Sequence, residues 1–91
     1  MAVSAEREFD ILNRLGLHAR AAAKLVRLAN GFASEIRVAK DGVEVNRKSI
    51  MGVLMLAAPK GARILIRAIG PDGEEAVTAI GELIAGKFGE E

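Results

Sequence analysis

The sequence predicts an α+β fold: an open-faced sandwich with a four-stranded antiparallel sheet, three helices on one face and solvent on the other. The predicted order is β-α-β-β-α-β-α. Three observations predict it. Apolar residues alternate in short segments, the mark of half-buried strands, and recur at i, i+3, i+4 in the segments between them. Asp41-Gly42 joins two alternating segments and is a strong two-residue hairpin signal, which makes the central strands antiparallel. Glycine- and proline-containing turns separate the remaining segments.

Each element has its own warrant. Glu6 to Leu12 alternates, with Phe9 and Ile11 on one face and Glu8 and Asp10 on the other. Ala19 to Asn30 has helical spacing: Ala22, Leu25, Val26 and Ala29 face the core, while Arg20, Lys24 and Arg27 form a basic stripe elsewhere. Asn30-Gly31 is its stop signal. Ser34 to Lys40 alternates with Ile36 and Val38 inward, and Val43 to Asn46 is the returning strand. Ser49 is placed to cap a short helix through about Ala57, ended by Pro59-Lys60-Gly61. Ala62 to Ile69 is rich in β-branched residues and reads as a strand. After the turn Gly70-Pro71-Asp72-Gly73, Asp72 is expected to cap a last helix. Its apolar stripe is Val77, Ile80, Leu83, Ile84 and Phe88, and Gly81 and Gly86 are expected to weaken it locally.

Composition bounds the function. A chain of 91 residues, 51% hydrophobic, is expected to form one domain over residues 1–91. Thirteen basic and twelve acidic residues leave a net charge of +1, which gives no argument for nucleic-acid binding. Three phenylalanines are the only aromatic residues, too few for a base-stacking surface. The absence of cysteine excludes disulfides and thiolate metal sites, and one histidine cannot build a multi-histidine site. The first residues hold no apolar signal core and no apolar run reaches membrane-spanning length, so a soluble cytoplasmic protein is expected.

The single histidine, His18, lies in Asn13-Arg14-Leu15-Gly16-Leu17-His18-Ala19-Arg20-Ala21-Ala22-Ala23-Lys24. This run reads as a strand end, a glycine turn and a helix opening at the histidine. Imidazole is largely neutral, hence nucleophilic, near pH 7. A helix start offers free N–H groups and partial positive charge to an anion, and Arg20 adds a donor fork suited to phosphate. The helix start and Arg20 are expected to disfavour the imidazolium. On residue type alone, a lone histidine near a helix start is more often structural than a site, and Arg20 shares its stripe with Lys24 and Arg27 as a solvated face would. The short second helix is apolar nearly all round. Val53 and Leu56 point inward, while Ile50, Met51, Leu54 and Met55 fill another arc, read either as deeper burial or as an exposed docking patch.

Gly16-Leu17-His18-Ala19-Arg20 resembles the active-site motif of the HPr phosphocarrier family, the histidine-containing proteins of the phosphoenolpyruvate-dependent phosphotransferase system. The resemblance covers nearly the whole chain and includes Lys48-Ser49-Ile50-Met51-Gly52-Val53-Leu54 and the Lys60-Gly61 turn. It implies that His18 is phosphorylated on Nδ1 and that Arg20 assists the transfer. It also implies that Ser49 is a regulatory phosphorylation site for a serine kinase. Ala19, Ala23, Lys24, Arg27, Ile50, Met51, Leu54 and Met55 would then meet the partners, Enzyme I as donor and EIIA-type domains as acceptors. The expected protein is a monomeric carrier that needs no cofactor or metal and is not itself an enzyme. Where the family usually has proline after the arginine, this chain has Ala21. Sugar uptake and a nitrogen-type regulatory relay are the two uses the resemblance allows. A small RNA-binding module is the rival by element order alone.

Overall fold

In a computed structural model, which describes residues 4–46, 50–56 and 58–90, the strands are β1 (Ser4–Asp10), β2 (Glu35–Lys40), β3 (Val43–Asn46) and β4 (Arg63–Ile69). The helices are α1 (Ala19–Ala29), α2 (Ile50–Leu54) and α3 (Gly73–Ala85), followed by a 3₁₀ turn, Lys87–Gly89. The sheet order is β1-β4-β2-β3, every pair antiparallel. This is the expected fold, in the expected order. Asp41 and Gly42 both have positive φ, as the tight hairpin requires.

The inner sheet face carries Ala5, Ile36, Val38, Ile64, Ile66 and Ala68, all buried. It packs against Ala22, Leu25, Val26 and Ala29 of α1 and Ala76, Val77, Ile80 and Ile84 of α3. Fully burying one such large aliphatic chain is worth about 1.5–3 kcal/mol. The outer face is a lattice of charges. Arg37 pairs with Glu35 and Glu44, Arg67 with Glu6 and Glu44, and Arg63 with Asp10. These pairs are solvent-screened, so inner-face packing holds the sheet. No aromatic stands among the outer-face residues of the four strands, which removes the stacking platform that RNA recognition on a sheet needs.

Three expectations are corrected. Asp72 occupies the position before α3 but makes no capping bond with its side chain. Its carboxylate instead accepts hydrogen bonds from the Ala33 and Ser34 N–H groups, each at 2.8 Å, and from the Ser34 hydroxyl. It thus ties the start of α3 to the α1–β2 loop across the chain, and α3 begins with Glu74 and Glu75 favouring its dipole instead. Next, α2 ends at Leu54 and does not run on to Ala57; Ser49 and Ala57 lie outside the described residues. Finally, Phe88 is buried but does not continue the α3 stripe, because the helix stops at Ala85 and the chain turns back. Gly81, expected only to weaken α3, has a packing reason: a Cβ there would stand 2.6 Å from the Phe9 ring.

The Asp72 tie is pH-dependent. The Ser34 hydroxyl, more than the Ala33 N–H, holds this carboxyl below its ordinary pKa of 3.8. A folded-state pKa below the unfolded one contributes stability above the ordinary value and loses it as pH falls through the folded value. Asp72→Asn, with one acceptor oxygen in place of two, is expected to lower the urea midpoint at pH 7. The gap to the parent should close below about pH 4. A gap that does not change between pH 7 and pH 3 would contradict this tie.

Candidate functional site

The chain enters the site from β1. Ile11 N–H bonds to the Ala62 carbonyl, and Gly61 N–H returns a bond to Ile11, at 2.8 and 2.7 Å. Asn13 accepts from the Gly16 N–H at 3.1 Å, closing a turn, and Leu17 N–H bonds to the Ala58 carbonyl at 2.8 Å. Gly16 has φ +68, and a Cβ there would sit 2.6 Å from the Ala58 oxygen and 2.8 Å from the Pro59 Cα. Only glycine allows this turn and this approach. The loop is thereby pressed onto the segment before β4, and Leu17, buried, hands the chain to His18.

His18 is the residue that opens α1. Its backbone is extended, its carbonyl accepts the first helical bond from Ala22 N–H at 2.8 Å, and its Nδ1 accepts from the Arg20 N–H at 3.3 Å. The imidazole fills the N-cap role usually taken by Ser, Thr, Asp or Asn. Its Nε2 stands 2.7 Å from Glu90 Oε1, with the two side chains 27% and 18% exposed. The Glu90 carboxyl is held below the usual range, first by the His18 bond; burial opposes this, and the Asn13 bond and the Lys24 charge add to it.

These partners fix the ring's protons. An ionised carboxylate only accepts, so Nε2 carries the hydrogen. A backbone N–H only donates, so Nδ1 presents its lone pair. Both contacts specify one arrangement, hydrogen on Nε2 and lone pair on Nδ1, with that pair turned toward the Arg20 N–H at the start of α1. The N–H groups of α1 ahead of Ala22 have no carbonyl one turn back, and among the described residues only that of Arg20 is engaged, by Nδ1, so the helix start can serve an anion.

Of the other sequence-predicted residues, Arg20 and Ala19 are exposed beside His18, and the Arg20 guanidinium has no hydrogen-bond or ion-pair partner among the described residues. Ala21 is buried. Arg27 is exposed and Ala23 half-buried. Lys24 is not a free rim cation: its Nζ donates to the Phe88 carbonyl at 2.6 Å. On α2, Val53 and Leu56 are buried as expected, Leu54 packs partly on the core, and Ile50, Met51 and Met55 are 42%, 67% and 77% exposed. The deeper-burial reading of α2 is therefore wrong for these three. α1 packs on α2, which brings the two predicted surfaces together.

Sequence reasoning missed three things. Glu90 lies 72 positions from His18, and no local pattern announces it. Asn13 was given no role, although a polar residue ending an apolar strand beside the glycine turn was a signal. Leu12 and Leu15, 43% and 62% exposed in the loop before His18, enlarge the apolar surface near the site. The expectation that the helix start and Arg20 disfavour the imidazolium left out Glu90, an anion in direct contact with the ring.

A family model described as "PTS HPr component phosphorylation site" matches residues 5–86. The chain belongs to the HPr phosphocarrier family. The phosphocarrier protein HPr of Cupriavidus necator is 49% identical over 85 residues, covering 93% of this chain and 96% of that one. The HPr of Neisseria meningitidis serogroup B is 48% identical over the same shares. A crystal structure of HPr from Thermoanaerobacter tengcongensis superposes with a TM-score of 0.91 at 47% identity, over 96% of this chain and 98% of that one. The HPr fold and the role of phosphotransferase-system phosphocarrier thus stand on both sequence and architecture.

Proposed function

We propose that His18 Nδ1 accepts a phosphoryl group from phosphoenolpyruvate-charged Enzyme I and passes it to an EIIA-type acceptor. The observation that carries this reading is how the ring is held: Nε2 against the Glu90 carboxylate and Nδ1 facing the start of α1. The Nδ1 pair forms the bond to phosphorus, and the bond from phosphorus to the donor breaks with its pair staying on the donor. Delivery reverses the step. Phosphoryl transfer asks for positioning and charge stabilisation more than for covalent machinery. The N–H groups of the first turn and Arg20 supply these; an anion at a helix start is favoured by about 0.3–1 kcal/mol, more when partly buried. The carrier is a substrate of transferases and works in the cytoplasm; no helix among the described residues is long and apolar enough to cross a membrane. Incubation with phosphoenolpyruvate and Enzyme I should place one acid-labile phosphate on each chain, at His18 Nδ1 by NMR. An acid-stable phosphate, or one on another residue, would overturn the reading.

The partner surface in this proposal joins Ala19, Ala23, Lys24 and Arg27 of α1 to Ile50, Met51, Leu54 and Met55 of α2. Exposed, adaptable methionines beside basic residues suit an acidic protein surface with an apolar centre. Ser49, which directly precedes α2 in sequence, is proposed as a regulatory site for a serine kinase. A phosphate there adds negative charge beside the docking patch. Ser49→Asp is expected to raise the KM for this carrier in the Enzyme I reaction by roughly tenfold, with kcat little changed. Unchanged KM would sink the charge-block idea.

A further inference from the structure

We propose that Glu90 is a positioning residue for His18: clamped by Asn13 at the ring's far nitrogen, it supplies the counter-charge that the ring needs once Nδ1 carries phosphate. The proposal rests on the carrier reading of His18 and deepens it.

Several devices deliver this one carboxylate. After α3 the chain runs through Lys87, Phe88 and Gly89 at φ 57, 55 and 75, three successive left-handed residues of which two are not glycine. L-residues rarely adopt that conformation, and it persists where the surroundings impose it. Here the surroundings are the buried Phe88 ring and the Lys24 ammonium on the Phe88 carbonyl. Gly89 N–H and Glu90 N–H then bond back to Gly86 and Lys87, each at 3.0 Å.

Asn13 holds the other end. It is fully buried, and its Nδ2 donates at 2.7 Å both to the Gly16 carbonyl and to Glu90 Oε1. Its own Oδ1 has no partner among the described residues. A buried acceptor left unpaired is unfavourable. Flipping the amide would set Oδ1 against the Gly16 carbonyl and the Glu90 carboxylate, acceptor to acceptor. The orphaned oxygen therefore accompanies the orientation that secures Glu90.

Glu90 faces Nε2, the nitrogen that does not bond phosphorus, so it acts through the ring. In the nucleophilic form of the ring, Nδ1 holds a lone pair and Nε2 a hydrogen. When the Nδ1 pair goes to phosphorus while Nε2 keeps its hydrogen, the ring acquires a formal positive charge. With Glu90 in place that charge already faces an anion at 2.7 Å, and no proton has to move. The ring's cationic form is also the better leaving group on delivery, because its nitrogen departs as a neutral imidazole. Among the described residues, Arg20 and Lys24 of α1 are cations and cannot fill this role.

The test loads the protein chemically with phosphoramidate, which makes it independent of any partner, and follows the Nε2 proton of the phosphohistidine by ¹⁵N NMR against pH. Glu90→Ala and Glu90→Gln should both lose that proton about one pH unit lower than the parent, a tenfold change in proton affinity. Both should transfer phosphate near neutral pH roughly tenfold more slowly. The glutamine variant is decisive, because its amide oxygen still accepts from Nε2–H and from Asn13 but carries no charge. A mere structural tether would survive in it. If Glu90→Gln titrates and transfers like the parent, the proposal is overturned. His18→Ala separates the two readings: acid-labile phosphate on that variant would refute the carrier reading itself, whatever Glu90 does.

Discussion

His18→Ala is expected to take up no phosphate from phosphoenolpyruvate and Enzyme I while remaining folded. The chemistry demands the first half. No other imidazole exists in the chain, and no cysteine can replace it as a strong neutral-pH nucleophile. The second half follows from where the ring sits. It is part-exposed, so its removal opens no internal cavity. What is lost is an N-cap acceptor at 3.3 Å, at the long end of hydrogen-bond geometry, and capping substitutions of this kind cost about 1 kcal/mol. The freed Glu90 carboxylate keeps its Asn13 bond and can take water in place of the ring. Urea unfolding should therefore shift modestly while uptake falls to background. Uptake at the parent's level would remove His18 from the mechanism. A collapse of the fold would instead show that the ring's main role is structural.

The ease with which this residue is lost to the fold reflects how the site is built. The imidazole stands at a helix start, where backbone donors are unsatisfied by necessity, and the core behind it is completed by Leu17, Ala21 and Ala22. Precision comes from what surrounds the ring. Gly16 lets the loop press onto Ala58 and Pro59, and the tail brings Glu90 to the far nitrogen. The geometry around the ring and the folding energy are thus carried by different residues.

That division also explains what the sequence disclosed. His18 was legible because its signals are local: a glycine turn, a helix start and a basic residue within five positions. The strands and the hairpin were legible because each binary pattern is read within its own segment, as Ile36, Val38 and Asp41-Gly42 show. Asp72 was legible as a position and not as a partner, because its acceptors, Ala33 and Ser34, sit on another loop. Met51 and Met55 could not be assigned to core or surface, since a five-residue helix has too few turns for its pattern to choose a face. Phe88 matched the α3 stripe by spacing, and only the left-handed turn after Gly86 shows that it anchors a different element. Glu90 was invisible for the same reason: its role is created by a chain reversal that no window of sequence contains.

Phe88→Ala tests that reversal, and it is expected to be the most destabilising of these substitutions. Phe88 is among the largest fully buried side chains, and truncating a buried phenylalanine costs about 3–5 kcal/mol through lost transfer energy and the cavity left behind. Small domains hold roughly 5–15 kcal/mol in all, so the urea midpoint should fall by about a fifth or more, with little change in slope. Alanine faces the same left-handed backbone as phenylalanine, so the difference reports the side chain. The second consequence concerns the site. Without the ring in the core, only the Lys24 and Asn13 hydrogen bonds hold the tail, and Glu90 should leave His18 for much of the time. In chemically phosphorylated Phe88→Ala the Nε2 proton should then be lost at lower pH than in the parent, and adding Glu90→Gln should change it little further. Two residues that act through one contact do not add, so the double variant should resemble the worse single one. Full additivity would mean that Phe88 stabilises the core without delivering Glu90, and that the carboxylate finds the ring unaided.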